Sequence, residues 1–178
     1  DPVRGLDYSC SSGTSGVTNG NGEYVCNTGD DVTFSLGSIV IGTVAAQETV
    51  ITPYSFFPLD EVAAVNLAML LQSIDADGDP NNGVITIDDS LVALLPPGLD
   101  FTSPTYASDV EDALDIALIS PEEAQGHLND VIIEHGGTVP TGGYLPVANA
   151  GSDQSVDTTS LVTLAGQGSS DADGDAIR

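Results

Sequence analysis

Acidic side chains outnumber basic ones so heavily in this sequence that charge limits both how the chain can fold and what it can bind. The 178 residues include 27 Asp and Glu but only two basic residues, Arg4 and Arg178, so the formal net charge is -25. Self-repulsion at this charge opposes a compact state, and bound divalent cations would relieve part of it. Because the chain cannot neutralise phosphates, nucleic acid and anionic membrane surfaces are excluded as expected partners. A calcium-rich medium outside the cell fits this balance better than cytosol does.

One acidic pentapeptide, Asp-Ala-Asp-Gly-Asp, occurs at residues 75–79 and again at 171–175. Carboxylates at alternate positions of a turn converge on one point, and hard oxygen ligands of this kind suit Ca²⁺. The first copy lies between two helical patterns, as in helix–loop–helix calcium sites. It departs from the EF-hand because Pro80 stands where that loop needs Gly and Thr86 where it needs Glu. The sequence therefore predicts a calcium loop that closes differently, with ligands drawn from Asp75, Asp77, Asp79, the carbonyl of Asn81, and Asp88 or Asp89.

The alternative for the first copy is a solvated acidic turn without metal. The second copy, with Asp171, Asp173 and Asp175, has no helical pattern around it. A calcium site and a solvated turn stay equally open there.

The two cysteines, Cys10 and Cys26, both fall in strand-like segments, at residues 6–10 and 23–26. Between them the pairs Asn19-Gly20 and Asn21-Gly22 are strong hairpin signals. Paired strands would bring the sulfurs together, so a disulfide is expected, with two buried free thiols as the alternative. A disulfide implies an oxidising compartment, and no signal peptide or membrane-length apolar run is present in the sequence.

The periodicity of apolar residues predicts an α+β chain. Residues 1–52 resemble a small antiparallel β-sandwich, with strands at 31–36 and 38–44. Helical patterns follow at 59–73, 90–95, 108–118 and from Pro121 onward, where Ser120 and Glu123 form a capping box; a second box is expected at Ser108 and Glu111. The predicted organisation is a domain at 1–135 with its helical part at about 58–133, a linker at 136–145 and a β-type segment at 146–178.

Motifs for catalysis are absent from the sequence. It contains no GxSxG, P-loop, HExxH or GxGxxG pattern. Paired carboxylates of the glycosidase type remain compatible with the composition, but the chain has no Trp and only 5% aromatic residues. We therefore expect a protein that is not an enzyme.

Three stretches, residues 16–44, 64–86 and 119–132, together resemble a domain found near the N-termini of large secreted or lipid-anchored surface proteins of Gram-negative bacteria. The first of them looks like a transthyretin-like sandwich. Residues 146–178, PVANAGSDQSVDTTSLVTLAGQGSSDADGDAIR, resemble the opening of a PKD or cadherin-like module with an Ig fold. This second resemblance implies a partial Ig-like β module, of a type that repeats in adhesins and is stiffened by calcium.

These observations predict an extracellular, calcium-stabilised structural or adhesive component of a bacterial surface protein or fibre. Its expected partners are other copies of itself or neighbouring modules of the same protein, with surface glycans as a further option. The segment 146–178 holds too few strands to close a sandwich of about seven. Either a second chain completes it by strand addition, which would propagate a filament, or the module is simply truncated.

The main alternative is a carbohydrate-binding module of a secreted polysaccharide-degrading protein. Aromatic side chains exposed on one face would favour it, and the candidates are Tyr8, Tyr24, Tyr54, Phe56 and Phe57.

Overall fold

The computed structural model describes residues 1–46, 50–80, 82–140 and residue 169. The chain divides into two units, Asp1–Thr138 and Val139–Arg178, and the elements described below all belong to the first. Several sequence-based predictions lie outside the described residues: the Asn81 ligand, the Asp171, Asp173 and Asp175 cluster, and the β module at 146–178.

The first unit combines strands and helices, which confirms the mixed α and β class. In chain order its elements are β1 Val3–Arg4, β2 Asp7–Cys10, β3 Ser15–Val17, β4 Asp31–Leu36, β5 Ile39–Ala45, α1 Pro53–Phe56, α2 Glu61–Ser73, β6 Ile85–Thr86, α3 Asp89–Val92, α4 Tyr106–Leu114 and α5 Pro121–Glu134.

Four strands form one antiparallel sheet in the order β3-β2-β4-β5. Strand β4 shows why this sequence makes a strand with one buried face, since Val32, Phe34 and Leu36 are buried while the residues between them are not. Gly42 on β5 lies opposite Phe34, and a Cβ there would come within 2.8 Å of the Phe56 ring. Glycine at this position therefore lets helix α1 lie directly on the sheet.

Helix α2 is the central helix of the unit. It begins at Asp60, whose side chain accepts a hydrogen bond from the amide of Ala63. Leu67 and Leu70 on α2 belong to the core beneath the sheet, whereas Val65 and Met69 pack against Ala124 of α5. A helix that is apolar on most sides must be buried on most sides, and α2 accordingly lies between the sheet and α5.

The α+β class and the antiparallel sheet are present, but the predicted β-sandwich is not confirmed. Within residues 1–46, 50–80 and 82–140, the buried face of the four-stranded sheet is covered by helix α2 and by side chains of the later segments, such as Phe101 and Tyr106. The only other sheet in that part of the chain is the two-residue parallel pair of β1 with β6.

Two local expectations differ from the structure. Helix α4 begins after Thr105 and ends at Asp115, which adopts a left-handed conformation with φ 54°. The earlier start buries Tyr106 against Phe101. Core packing therefore determines where α4 begins, and the predicted capping box of Ser108 and Glu111 does not. Glu111 instead accepts a hydrogen bond from the amide of Leu118.

The second difference concerns the segment that contains Cys26. Residues 23–27 form neither a strand nor a helix. The Asn19 side chain accepts hydrogen bonds from the amides of Asn21 and Glu23, an Asx-type turn that redirects the chain. Strand β2 pairs instead with Ser15–Val17.

Phe34 provides a direct test of this packing, because its ring lies edge-on between those of Tyr24 and Phe56 and it is 4% exposed. We expect Phe34→Ala to lower the free energy of unfolding by about 3 to 5 kcal/mol, the usual cost of truncating a buried aromatic residue. Urea denaturation measures the change. Val40→Ala is the matched control on the exposed face and should change stability by less than about 0.5 kcal/mol. Equal effects of the two substitutions would contradict the assigned faces of the sheet.

Candidate metal centre

Residues 75–88, here called the acidic loop, connect the end of α2 to the start of α3 and are closed at their base. The amide of Ala76 donates to the carbonyl of Thr86 at 2.8 Å, and the amide of Asp88 donates to the carbonyl of Ile74 at 3.0 Å. Asp75 and Ile87 form an antiparallel bridge between these two bonds. The two ends of the loop are therefore held together by backbone pairing.

Asp75 has the most unusual environment in the acidic loop. Its side chain is 6% exposed, and its Oδ1 accepts a hydrogen bond from the Thr86 amide at 2.9 Å. Its Oδ2 is buried and has no hydrogen-bond partner. Burial raises the pKa of the Asp75 carboxyl and the neighbouring Asp77 carboxylate adds to the rise, while the bond from Thr86 opposes it. An oxygen of this kind is costly to bury unless a partner compensates it.

Asp77 lies beside Asp75 but is exposed and well supported. Its Oδ1 accepts from the amide of Asp79 at 3.0 Å, and its Oδ2 accepts from the side-chain amide of Asn82 at 2.6 Å. These bonds, first that of Asp79 and then that of Asn82, lower the pKa of the Asp77 carboxyl. Asp77 is therefore held as a carboxylate next to Asp75, and each of its oxygens keeps a further lone pair.

The remaining predicted ligands stand apart from this pair. Asp79 is exposed. The Oδ1 of Asp88 accepts from both the amide and the hydroxyl of Ser90, at 2.8 and 2.5 Å, so Asp88 serves as the N-cap of α3. Asp89 is exposed in the first turn of that helix. The structure thus brings Asp75 and Asp77 together and uses Asp88 for helix capping.

One group of three ligand-type side chains converges elsewhere. Within the described residues, Cys10, Cys26 and Asp30 are the only three His, Cys, Asp or Glu side chains whose ligand atoms all lie within 4.8 Å of one another. The two cysteines form the expected disulfide, with Cα atoms 5.7 Å apart. Their sulfurs are therefore not metal ligands in this state.

Asp30 has a structural role that the sequence did not indicate. Its carboxylate accepts hydrogen bonds from the hydroxyls of Ser11 and Ser12 and from the amide of Asn27. These bonds, with that from Ser12 the strongest contribution, lower the pKa of the Asp30 carboxyl. Asp30 thereby links the two chain segments that the disulfide also joins. The signal available in the sequence was that Ser11 and Ser12 directly follow Cys10 and that Asn27 directly follows Cys26.

The five aromatic candidates for a sugar-binding face are turned inward. Tyr8 and Tyr54 are buried, and Tyr24, Phe56 and Phe57 pack against the core. None of them forms an exposed aromatic platform.

A cavity of about 890 Å³ lies away from the acidic loop. Apolar side chains of the sheet and of α2, including Phe34, Ile41 and Leu67, form much of its wall. The cavity does not contain the Asp75 and Asp77 pair.

Comparison of the chain with protein-family models, with curated proteins and with solved structures finds no match. Among the residues that the structure describes, no helix is both long enough and apolar enough to cross a membrane. Arguments about function therefore depend on the side chains themselves.

The lowered pKa of Asp30 predicts how one part of the stability varies with pH. A carboxyl whose pKa is lower in the folded state stabilises the fold above its unfolded pKa, and this contribution is lost as pH falls through the folded pKa. We expect Asp30→Asn to lower the melting temperature at pH 7 and to have a smaller effect near pH 3, as followed by circular dichroism. Asp31→Asn, on the neighbouring exposed residue, is the control. An effect of Asp30→Asn that is the same at both pH values would contradict this role.

Proposed function

We propose that this chain is a calcium-stabilised structural component of an extracellular protein. The observation on which the proposal rests is the buried Oδ2 of Asp75, which has no hydrogen-bond partner and lies beside the Asp77 carboxylate. A cation held between Asp75 and Asp77 would compensate both charges. Exposed acidic turns are common without metal, but Asp75 is only 6% exposed and its Oδ2 has no hydrogen-bond partner. Such a group is costly to bury as a charge unless a proton neutralises it or a cation compensates it, and we propose the cation.

The protein offers little internal compensation for these charges. Arg4 is the only Arg or Lys among residues 1–46, 50–80 and 82–140, and it forms no ion pair within that part of the chain. A metal ion from the medium is then the available counter-charge. Hard carboxylate oxygens suit Ca²⁺, which tolerates irregular geometry and fills its remaining positions with water, whereas Mg²⁺ requires a near-ideal octahedron. In this proposal Asp75 and Asp77 hold the ion and Asp79 strengthens the local negative field.

The extracellular assignment has separate support. The Cys10–Cys26 disulfide is typical of oxidising compartments, and a net charge of -25 favours a calcium-rich medium. The resemblance of residues 16–44, 64–86 and 119–132 to N-terminal domains of Gram-negative surface proteins points the same way. On this basis we extend the proposal to a structural or adhesive part of a bacterial surface protein or fibre.

A role in binding polysaccharide is less well supported. It would be favoured by exposed aromatic rings, whereas Tyr8 and Tyr54 are buried and Tyr24, Phe56 and Phe57 face the core. Structural or adhesive contact with other copies or neighbouring modules therefore stays the preferred proposal.

Asp75→Asn tests the calcium proposal because its expected effect on stability differs between EDTA and Ca²⁺. In EDTA the variant should be at least as stable as the wild type, because it removes a buried charge and its new amide can donate to Asp77. In Ca²⁺ the wild type should gain stability and the variant should not. At a free Ca²⁺ concentration one hundred times Kd, the expected gain is about 2.7 kcal/mol. Urea denaturation with and without Ca²⁺ measures both effects.

Asp112→Asn is the matched control, since Asp112 is exposed on α4 and far along the chain from the acidic loop. It should respond to Ca²⁺ as the wild type does. If Ca²⁺ leaves the stability of the wild type unchanged at low ionic strength, or stabilises Asp75→Asn equally, the calcium proposal is wrong.

The disulfide supplies a second test, of the compartment. Replacing both cysteines, as Cys10→Ala with Cys26→Ala, should cost about 3 kcal/mol, because a loop of 16 residues is no longer closed in the unfolded chain. Thermal unfolding of the wild type with and without a reducing agent should reproduce the loss, while the double variant should be insensitive to the reductant. A wild type that is equally stable when reduced would remove the argument for an oxidising compartment.

A further inference from the structure

The N-terminal segment, defined here as residues 1–6, is attached to the acidic loop by strand pairing. Strand β1 lies parallel to β6, with Val3 opposite Ile85 and Arg4 opposite Thr86. The amide of Ile85 donates to the carbonyl of Pro2 at 2.9 Å, and the amide of Ile87 donates to the carbonyl of Arg4 at 3.0 Å. Two-residue pairing of this kind is not stable by itself, so its formation depends on what fixes β6.

Thr86 joins this pairing to the proposed metal ligand. It belongs to β6, and its amide donates to Oδ1 of Asp75 while its carbonyl accepts from the amide of Ala76. The side chain of Asp75 and the amide of Ala76 therefore hold the outer side of β6, and β1 occupies the other side. A change in the position of the Asp75 carboxylate would release the bond to Thr86 first.

Thr18 attaches the same N-terminal segment to the four-stranded sheet. Its hydroxyl donates to the carbonyl of Val3 at 2.7 Å and accepts from the amide of Leu6 at 3.0 Å. Its carbonyl accepts from the amide of Gly5, and its amide donates to the carbonyl of Leu6. Thr18 is 3% exposed and directly follows β3. Four hydrogen bonds of one buried residue thus fix the N-terminal segment to the sheet.

Close packing makes the junction between the two attachments sensitive to displacement. Gly5 has φ +101°, and a Cβ at this position would lie 3.1 Å from the Cβ of Ile87. The backbone of the N-terminal segment therefore lies directly against β6. A shift of β6 cannot be absorbed there by a flexible side chain.

We propose that cation binding at Asp75 and Asp77 is coupled to the docking of the N-terminal segment onto β6. The proposal rests on the calcium site argued above. Without the cation, repulsion between Asp75 and Asp77 and the unpaired Oδ2 favour rotation of Asp75 toward solvent, which frees the Thr86 amide and loosens β6 from β1. With the cation, Asp75 is fixed, β6 is held, and residues 1–6 connect the acidic loop to the sheet. Calcium thereby joins the helical part of the unit to its sheet.

Hydrogen exchange measured by NMR tests the coupling on the intact protein. Addition of Ca²⁺ should raise the protection of the Gly5, Ile85 and Ile87 amides by about tenfold, because these donors bridge the N-terminal segment to its neighbours. The amide of Ala46, which donates to Asp30 at the far end of the sheet, should change little. In Asp75→Asn, Ca²⁺ should have no effect on any of the four amides, whereas Asp112→Asn should behave as the wild type does.

Thr18→Val provides a reciprocal test, because coupling between two events acts equally in both directions. It removes the hydroxyl bonds to Val3 and Leu6 without touching a carboxylate. We expect Ca²⁺ to bind at least about fivefold more weakly to this variant in isothermal titration calorimetry. Thr18→Ser keeps the hydroxyl and should restore the affinity. Thr33→Val, which removes an exposed hydroxyl contact with Thr43, is the matched control and should bind as the wild type does.

The outcomes separate this inference from the function on which it rests. Suppose that calorimetry detects Ca²⁺ binding that Asp75→Asn abolishes, while Ca²⁺ does not raise the exchange protection of the Gly5, Ile85 and Ile87 amides. In that case the coupling is wrong and the calcium site stands. If calorimetry detects no binding to the wild type, both are wrong. Should Thr18→Val fail to fold, the exchange measurement on the wild type still decides the matter.

Discussion

The packing of helix α2 against the sheet on one side and against α5 on the other is the constraint on which the first unit depends. Leu67 and Leu70 fill the core under the sheet, while Val65 and Met69 meet Ala124 of α5. Because α2 is enclosed, its C-terminal end also lies at the edge of the core. Asp75 follows two residues after the helix ends, and the same burial that stabilises α2 therefore extends to this carboxylate. A neutral residue would be cheaper to bury at that position, and in our proposal a bound cation offsets this cost.

Two kinds of attachment hold the sheet to the rest of the unit. The Cys10–Cys26 disulfide and the hydrogen bonds of Asp30 close the segment that contains β3. Thr18 and β1 then connect the sheet to the acidic loop through β6. The first attachment depends on an oxidising medium and the second, in our proposal, on calcium. Both conditions are met outside the cell, so one environment would complete the fold at two independent points.

Burial and hydrogen bonding make the two carboxyls of the acidic loop differ. Asp75 and Asp77 are separated by one residue and belong to the same pentapeptide, yet burial raises the pKa of one and hydrogen bonds lower that of the other. Asn82 supplies one of those bonds to Asp77. The pair therefore combines a buried carboxyl whose charged form is disfavoured with an exposed one that is held in its charged form.

The sequence by itself determined those features that depend on residues close together in the chain. The sequence predicted the Cys10–Cys26 disulfide, although through a pairing of strands that the structure does not contain, because the segment of Cys26 forms no strand. Alternation of apolar residues predicted β4, and the Ser120 and Glu123 box predicted the start of α5. Local hydrogen bonds and side-chain periodicity fix such features whatever the rest of the chain does. Tertiary structure decided the others: burial of Tyr106 moved the start of α4, Ser90 engaged Asp88 at the start of α3, and enclosure of α2 left Asp75 buried with an unpartnered oxygen. Burial results from contacts between segments distant in sequence, so the repeated pentapeptide could indicate acidic ligands but not which carboxylate would need a cation.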